Sequence, residues 1–131
     1  MARKGCSVLI IDDDPLFLKS LGAYLEDGGY QVFRAKDGDE GVEIFTARRP
    51  EVVVTDLRMP GRDGAAVLRA VRELSPETPL IVLTGTEERR LIEKLVEQGA
   101  WCCLYKPLYH LRELVMAIEM ALAGKGEGEE R

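Results

Sequence analysis

The sequence predicts an α/β fold: a single, doubly wound, five-stranded parallel sheet covered by five helices. Three observations carry this. Short β-branched runs alternate with longer amphipathic stretches, and five such strand-helix units fit along the chain. Residues 7–12 and 52–56 are nearly unbroken apolar runs that end on aspartate, as expected of strands covered on both faces. With 131 residues and 46% hydrophobic content, the chain can bury one good core but hardly two.

Residues 7–12 read as the first and central strand. Asp14 before Pro15 supplies an N-cap and a fixed φ at the first helical position, and Leu18, Leu21 and Leu25 recur at helical spacing until Gly28 and Gly29. Residues 30–35 alternate and read as an edge strand, Asp39 opens a helix to about Arg48, and Pro50 separates it from the third strand, 52–56. After a turn over 59–64, Val67, Leu68, Val71 and Leu74 mark a helix, and residues 79–84 a fourth strand. A fourth helix covers roughly 87–98, with Leu91, Ile92, Leu95 and Val96 on a broad apolar face and Gly99 as its cap. Residues 101–105 make the fifth strand and 108–123 the last helix. In that helix Leu111, Leu114, Val115, Ile118 and Leu122 form the core stripe. Met116 and Met120 fall one turn apart beside it; core packing is their default, a partner surface the alternative. The Gly/Glu-rich residues 124–131 have no apolar anchor and read as a disordered tail or the start of a linker.

A net charge of -5 argues against a surface that neutralises nucleic-acid phosphates, so DNA is not this segment's own partner. The opening residues are too few and too polar for a signal peptide, and no apolar run approaches the roughly 20 residues that span a bilayer. A cytoplasmic protein without membrane contact is expected. Three cysteines, two adjacent at Cys102 and Cys103, fit neither a disulfide framework nor a spaced metal site and read as reduced packing residues. The single histidine, His110, lies away from the acids and reads as a surface residue, which weakens a histidine phosphodonor or a zinc enzyme.

In an open α/β sheet, ligands sit at the carboxyl ends of the strands near the point where strand order reverses. Four strand ends are chemically marked: the first by Asp12, Asp13 and Asp14, the third by Asp56, the fourth by Thr84, and the fifth by the approach to Lys106. Taken alone, the three adjacent acids could be a helix N-terminus favouring the macrodipole, and Asp14 is better read as a cap than as a ligand. Joined to Asp56, they repel one another unless a cation or shared protons intervene, and magnesium prefers such oxygen donors. Asp56 would be the nucleophile toward a phosphoryl group, Lys106 would balance the phosphoryl oxygens, and Thr84 could donate a hydrogen bond to one of them. Gly61 and Gly64 are turn residues, and no Gly-rich run leads into a P-loop lysine.

This arrangement resembles the CheY-like receivers of two-component response regulators over about residues 6–123. The residues that carry it are Ile10 through Pro15, Asp56 through Gly64, Val82 through Gly85, Gly99-Ala100 and Lys106-Pro107. The resemblance implies a flavodoxin-like sheet in strand order 2-1-3-4-5, and Asp56 as phosphoacceptor. It implies magnesium bound by Asp13, Asp56 and the Arg58 carbonyl, with Asp12 acting through water. A cis peptide before Pro107 is implied, as is a phosphohistidine donor on a sensor histidine kinase or phosphotransfer protein. Receivers dimerise or bind targets through the fourth helix, fifth strand and fifth helix, so an effector domain, a separate partner or a homodimer is expected there. The domain would catalyse only its own phosphorylation and dephosphorylation.

Two positions depart from the pattern. Cys103 stands where the family has the aromatic that swings inward on phosphorylation. Tyr105, two residues on and on the same strand face, would lie about 6.6 Å beyond the usual slot. Output is therefore expected to rely on the Thr84 loop and fourth helix. Arg58 is expected to lie in water rather than over the phosphoryl group. Three rival readings remain. One is an aspartate-nucleophile phosphatase of the haloacid-dehalogenase kind, which Asp12 with Asp14 match only crudely. Another is a flavodoxin-like cofactor binder, whose flavin phosphate the acids would repel. The third is a pseudo-receiver that only binds proteins.

Overall fold

A parallel sheet needs each strand returned to its starting end, and this chain does so with a helix after every strand. The computed structural model describes residues 5–85, 89–106 and 111–124. Its elements are β1 (Ser7–Ile11), α1 (Pro15–Asp27), β2 (Gln31–Ala35), α2 (Gly38–Arg48), β3 (Val52–Asp56), α3 (Gly64–Leu74), β4 (Leu80–Thr84), α4 (Arg89–Glu97), β5 (Cys102–Tyr105) and α5 (Leu111–Gly124). All pairings are parallel, in the order β2-β1-β3-β4-β5. Strand order reverses beside β1, which opens a crevice at the carboxyl ends of β1 and β3.

The pleat divides the core in two. Val8 and Ile10 of β1 join Leu18, Leu21 and Leu25 of α1 and Leu114, Ile118 and Leu122 of α5. Leu9 and Ile11 face the other way, onto Phe45 of α2, Val67, Leu68 and Val71 of α3 and Leu95 of α4. Every residue of β4 is buried, as a central strand covered on both sides requires.

Several boundaries move, each for a backbone reason. β1 stops at Ile11, and Asp12 donates its N–H to Ala35 O at 3.1 Å just past the ladder. Tyr30 stays outside β2 because its N–H goes to Leu25 O at 3.1 Å, closing α1. α2 starts at Gly38 rather than Asp39, since Asp37 is the cap and accepts the Glu40 N–H at 2.8 Å. Trp101 precedes β5, and α4 ends at Glu97, one residue earlier than expected. Asp14 caps α1 as predicted, accepting the N–H groups of Leu16 and Phe17 at 3.0 and 3.4 Å. Gly99 turns at φ 114, a left-handed value that suits glycine after a helix.

The larger correction concerns the last helix. Met116 and Met120 are 55% and 61% exposed, so core packing does not hold for them. The stripe of Leu114, Ile118 and Leu122 already fills the sheet-facing side. Val96 likewise lies outside the expected apolar face, 48% exposed, and Leu95 is the only fully buried side chain of α4. His110, the Lys106-Pro107 peptide, the start of the fourth helix at Glu87 and residues 125–131 lie outside the described residues. Among the described residues no helix is long and apolar enough to cross a membrane.

Candidate functional site

β1 and β3 run in register side by side, and each delivers an aspartate to the same end of the sheet. One carboxylate oxygen from each of Asp12, Asp13 and Asp56 lies within 4.8 Å of the others. The sheet topology and parallel register, rather than sequence proximity, bring Asp56 to the pair.

Asp12 is buried, and each of its oxygens accepts a hydrogen bond. Its Oδ1 accepts the Asp14 N–H at 2.9 Å, and its Oδ2 accepts a hydrogen bond from Lys106 Nζ at 2.9 Å. Lys106 follows β5, where its backbone N–H donates to Thr84 O at 2.8 Å, and its ammonium stands 3.6 Å from Asp56 Oδ1. The same nitrogen lies 4.6 Å from the centroid of the Phe17 ring. Asp56 is held from below: the Leu57 N–H donates to Leu83 O at 2.8 Å, fixing the strand end against β4.

Three carboxylates face one ammonium, and the effect shows on Asp56, which is largely buried. Burial, then the charge of Asp12, push the Asp56 carboxyl from 3.8 up to about 6; Lys106 opposes them, Asp13 adds to them, and the Leu57 N–H opposes. For Lys106 burial works against the charge, but the hydrogen bond and attraction of Asp12, with Asp56 behind, outweigh it and raise the ammonium. A cluster of carboxylate oxygens with surplus negative charge suits a hard divalent cation, so the donor set fits magnesium. The groove along β2 and α2, lined by Phe33, Ile44 and Arg48, contains none of these acids.

The other predicted residues fall as follows. Thr84 ends β4, buried, paired across the sheet with Tyr105. Arg58 is exposed. Cys103 packs against the core cluster that contains Leu95, while Tyr105 is 50% exposed. Cys6, Cys102 and Cys103 are reduced thiols. Burial, with the neighbouring Cys103, raises the Cys102 thiol to about 11, and burial raises Cys103 too, which makes both poor nucleophiles. Sequence reading missed Phe17. Its signal was position: an aromatic in the first helical turn after the acidic cluster stands at the crevice end of its helix.

The chain matches the family described as the response regulator receiver domain across residues 8–119. It is 35% identical over 119 residues to the transcriptional regulatory protein PdtaR of Mycobacterium tuberculosis, covering 88% of this chain and 56% of that protein. It is 33% identical over 108 residues to the transcriptional regulatory protein GlrR of Escherichia coli, covering 82% of this chain and 24% of that one. The chain therefore spans about half, or less, of the length of these curated relatives. Among solved structures, a CheY-like receiver domain protein from Methanospirillum hungatei superimposes with a TM-score of 0.89 at 25% identity, covering 96% of this chain and 100% of that one. A receiver domain protein from Clostridium thermocellum gives 0.85 at 32% identity, covering 90% and 94%.

Proposed function

The chain belongs to the response regulator receiver domain family of two-component systems, and on that premise we propose that Asp56 accepts a phosphoryl group from a phosphohistidine on a sensor kinase or phosphotransfer protein. The observation that carries this reading is the Lys106 ammonium standing between Asp12 and Asp56, at 2.9 and 3.6 Å, where β1 and β3 end.

Asp13, Asp56 and the Arg58 carbonyl would hold magnesium, with Asp12 acting through water. Bound there, the ion supplies positive charge against the oxygens of the transferring group. An Asp56 oxygen attacks phosphorus in line, the phosphorus-nitrogen bond of the donor breaks, and its electron pair leaves with the imidazole. Lys106 turns from Asp12 toward the new phosphoryl oxygens, and the Thr84 hydroxyl donates to one of them. Water later cleaves the acyl phosphate, so the domain turns over only its own modification. The working unit is residues 6–123, and residues 124–131 serve as a tail or linker. Output passes through α4, β5 and α5 to a fused effector, a partner or a second copy, without nucleic-acid or membrane contact by this domain, in the cytoplasm.

A haloacid-dehalogenase-like phosphatase fits poorly, because it would need Asp14 as a second working acid. Asp14 Oδ1 caps α1, accepting the N–H groups of Leu16 and Phe17, and the acids that converge with Asp56 are Asp12 and Asp13 instead.

Acetyl phosphate with magnesium should add one phosphoryl group to the wild-type protein, read by intact mass, and none to Asp56→Asn. Absence of an Asp56-dependent gain would overturn the reading and favour a protein that binds partners without phosphorylation. Mass is the better readout than Trp101 fluorescence, since Trp101 precedes β5 at the end of the sheet opposite the acids.

A further inference from the structure

We propose that Phe17 is a positioning residue for phosphoryl transfer, its ring holding the Lys106 ammonium in the crevice without adding negative charge. The proposal rests on the reading of Asp56 above. Lys106 ends in a flexible four-carbon stem, and an unconfined ammonium would spend much of its time in water. Here it is bounded on three sides: it donates to Asp12 Oδ2 at 2.9 Å, stands 3.6 Å from Asp56 Oδ1, and lies 4.6 Å from the Phe17 ring centroid. Its side chain is only 25% exposed.

The ring reaches this place through local helix chemistry. Asp14 caps α1 and accepts the Phe17 N–H at 3.4 Å, which sets the first turn against the crevice. Phe17 also packs against the core cluster of α1 and α5, which steadies it. An aromatic face attracts an ammonium through its quadrupole. A carboxylate in the same place would hold Lys106 too, but it would repel an arriving phosphoryl anion. The ring confines the cation and leaves its charge available to the phosphoryl oxygens.

Packing alone would be served equally by leucine, which gives the test. In the wild-type protein, NMR should show the Lys106 ε-methylene protons displaced upfield by the ring current; an ordinary shift would overturn the proposal without any variant. Phe17→Leu should slow Asp56 phosphorylation by acetyl phosphate and weaken beryllofluoride binding by about fivefold, and Phe17→Tyr should restore both. The deciding comparison is a double-mutant cycle with Lys106→Ala, in which Phe17→Leu should cost nothing further. An equal cost on both backgrounds would mean that the ring serves only to pack α1, and would overturn the proposal. Should the wild type take no phosphoryl group at all, the function above would fall, while the Lys106 resonance would still decide the ring contact.

Discussion

α3 and α4 cover the same face of the sheet, yet they are held very differently. α3 buries Gly64, Val67, Leu68 and Val71, whereas α4 buries Leu95 alone. The first is also tied directly to the end of β3. Asp63 caps it, accepting the Ala66 N–H at 3.0 Å, and Gly64 donates to Leu57 O at 2.9 Å. A Cβ at Gly64 would stand 2.5 Å from the Asp56 carbonyl oxygen, so only glycine lets the helix come so near. The flank that continues from α4 shows apolar side chains to solvent instead: Val96, Tyr105, Met116 and Met120. The rigid helix anchors the acid, and the lightly held one has little buried area to lose by shifting.

The sharpest way to break this contrast is to truncate both helices. Leu68→Ala in α3 should cost about 3 kcal/mol in urea unfolding, and Val96→Ala in α4 no more than about 0.5 kcal/mol. Comparable costs would erase the distinction. A middle-sized effect probes the acid end. The Asp56 carboxyl is raised from 3.8 to about 6, so the folded protein binds that proton more tightly than the unfolded one. Stability from this group is therefore full below the unfolded value and is lost as pH rises through the folded one. Asp56→Asn, which never ionises, should stabilise the metal-free protein by about 1–2 kcal/mol at pH 7.5, less than the full shift implies because the site is partly solvated. Thermal melts at pH 4 should show almost no difference, and magnesium should narrow the gap at pH 7.5. The smallest effect belongs to the exposed flank. Met116→Ser and Met120→Ser should each change stability by less than about 0.5 kcal/mol, which a larger loss in thermal melts would contradict.

Much of this was legible in the sequence, for identifiable reasons. Short continuous β-branched runs bounded by turn residues read as covered strands, and Asp14-Pro15 is a helix start whose cap is made as expected. The acids at two strand ends become neighbours as soon as the strands are placed side by side. Detail that depended on competition was harder to read. Asp37 and Asp39 are both good caps, and the choice fell to the one whose side chain reaches the Glu40 N–H. Tyr30 looks like a strand residue and is spent closing a helix. Met116 and Met120 continue an apolar helix, but the stripe beside them had already filled the space under it. Phe17 was not singled out in the sequence, because the ring's other neighbour, Lys106, arrives from 89 residues further along the chain.

The bond between Lys106 and Asp12 joins residues 94 apart. A contact of such separation closes a loop through nearly the whole domain, and its formation carries that loop's closure entropy. A chain still emerging from synthesis, with β5 not yet added, holds the acids of β1 and β3 without the cation that balances them. The acid cluster therefore gains its balancing ammonium only once β5 and the residue after it have joined the sheet.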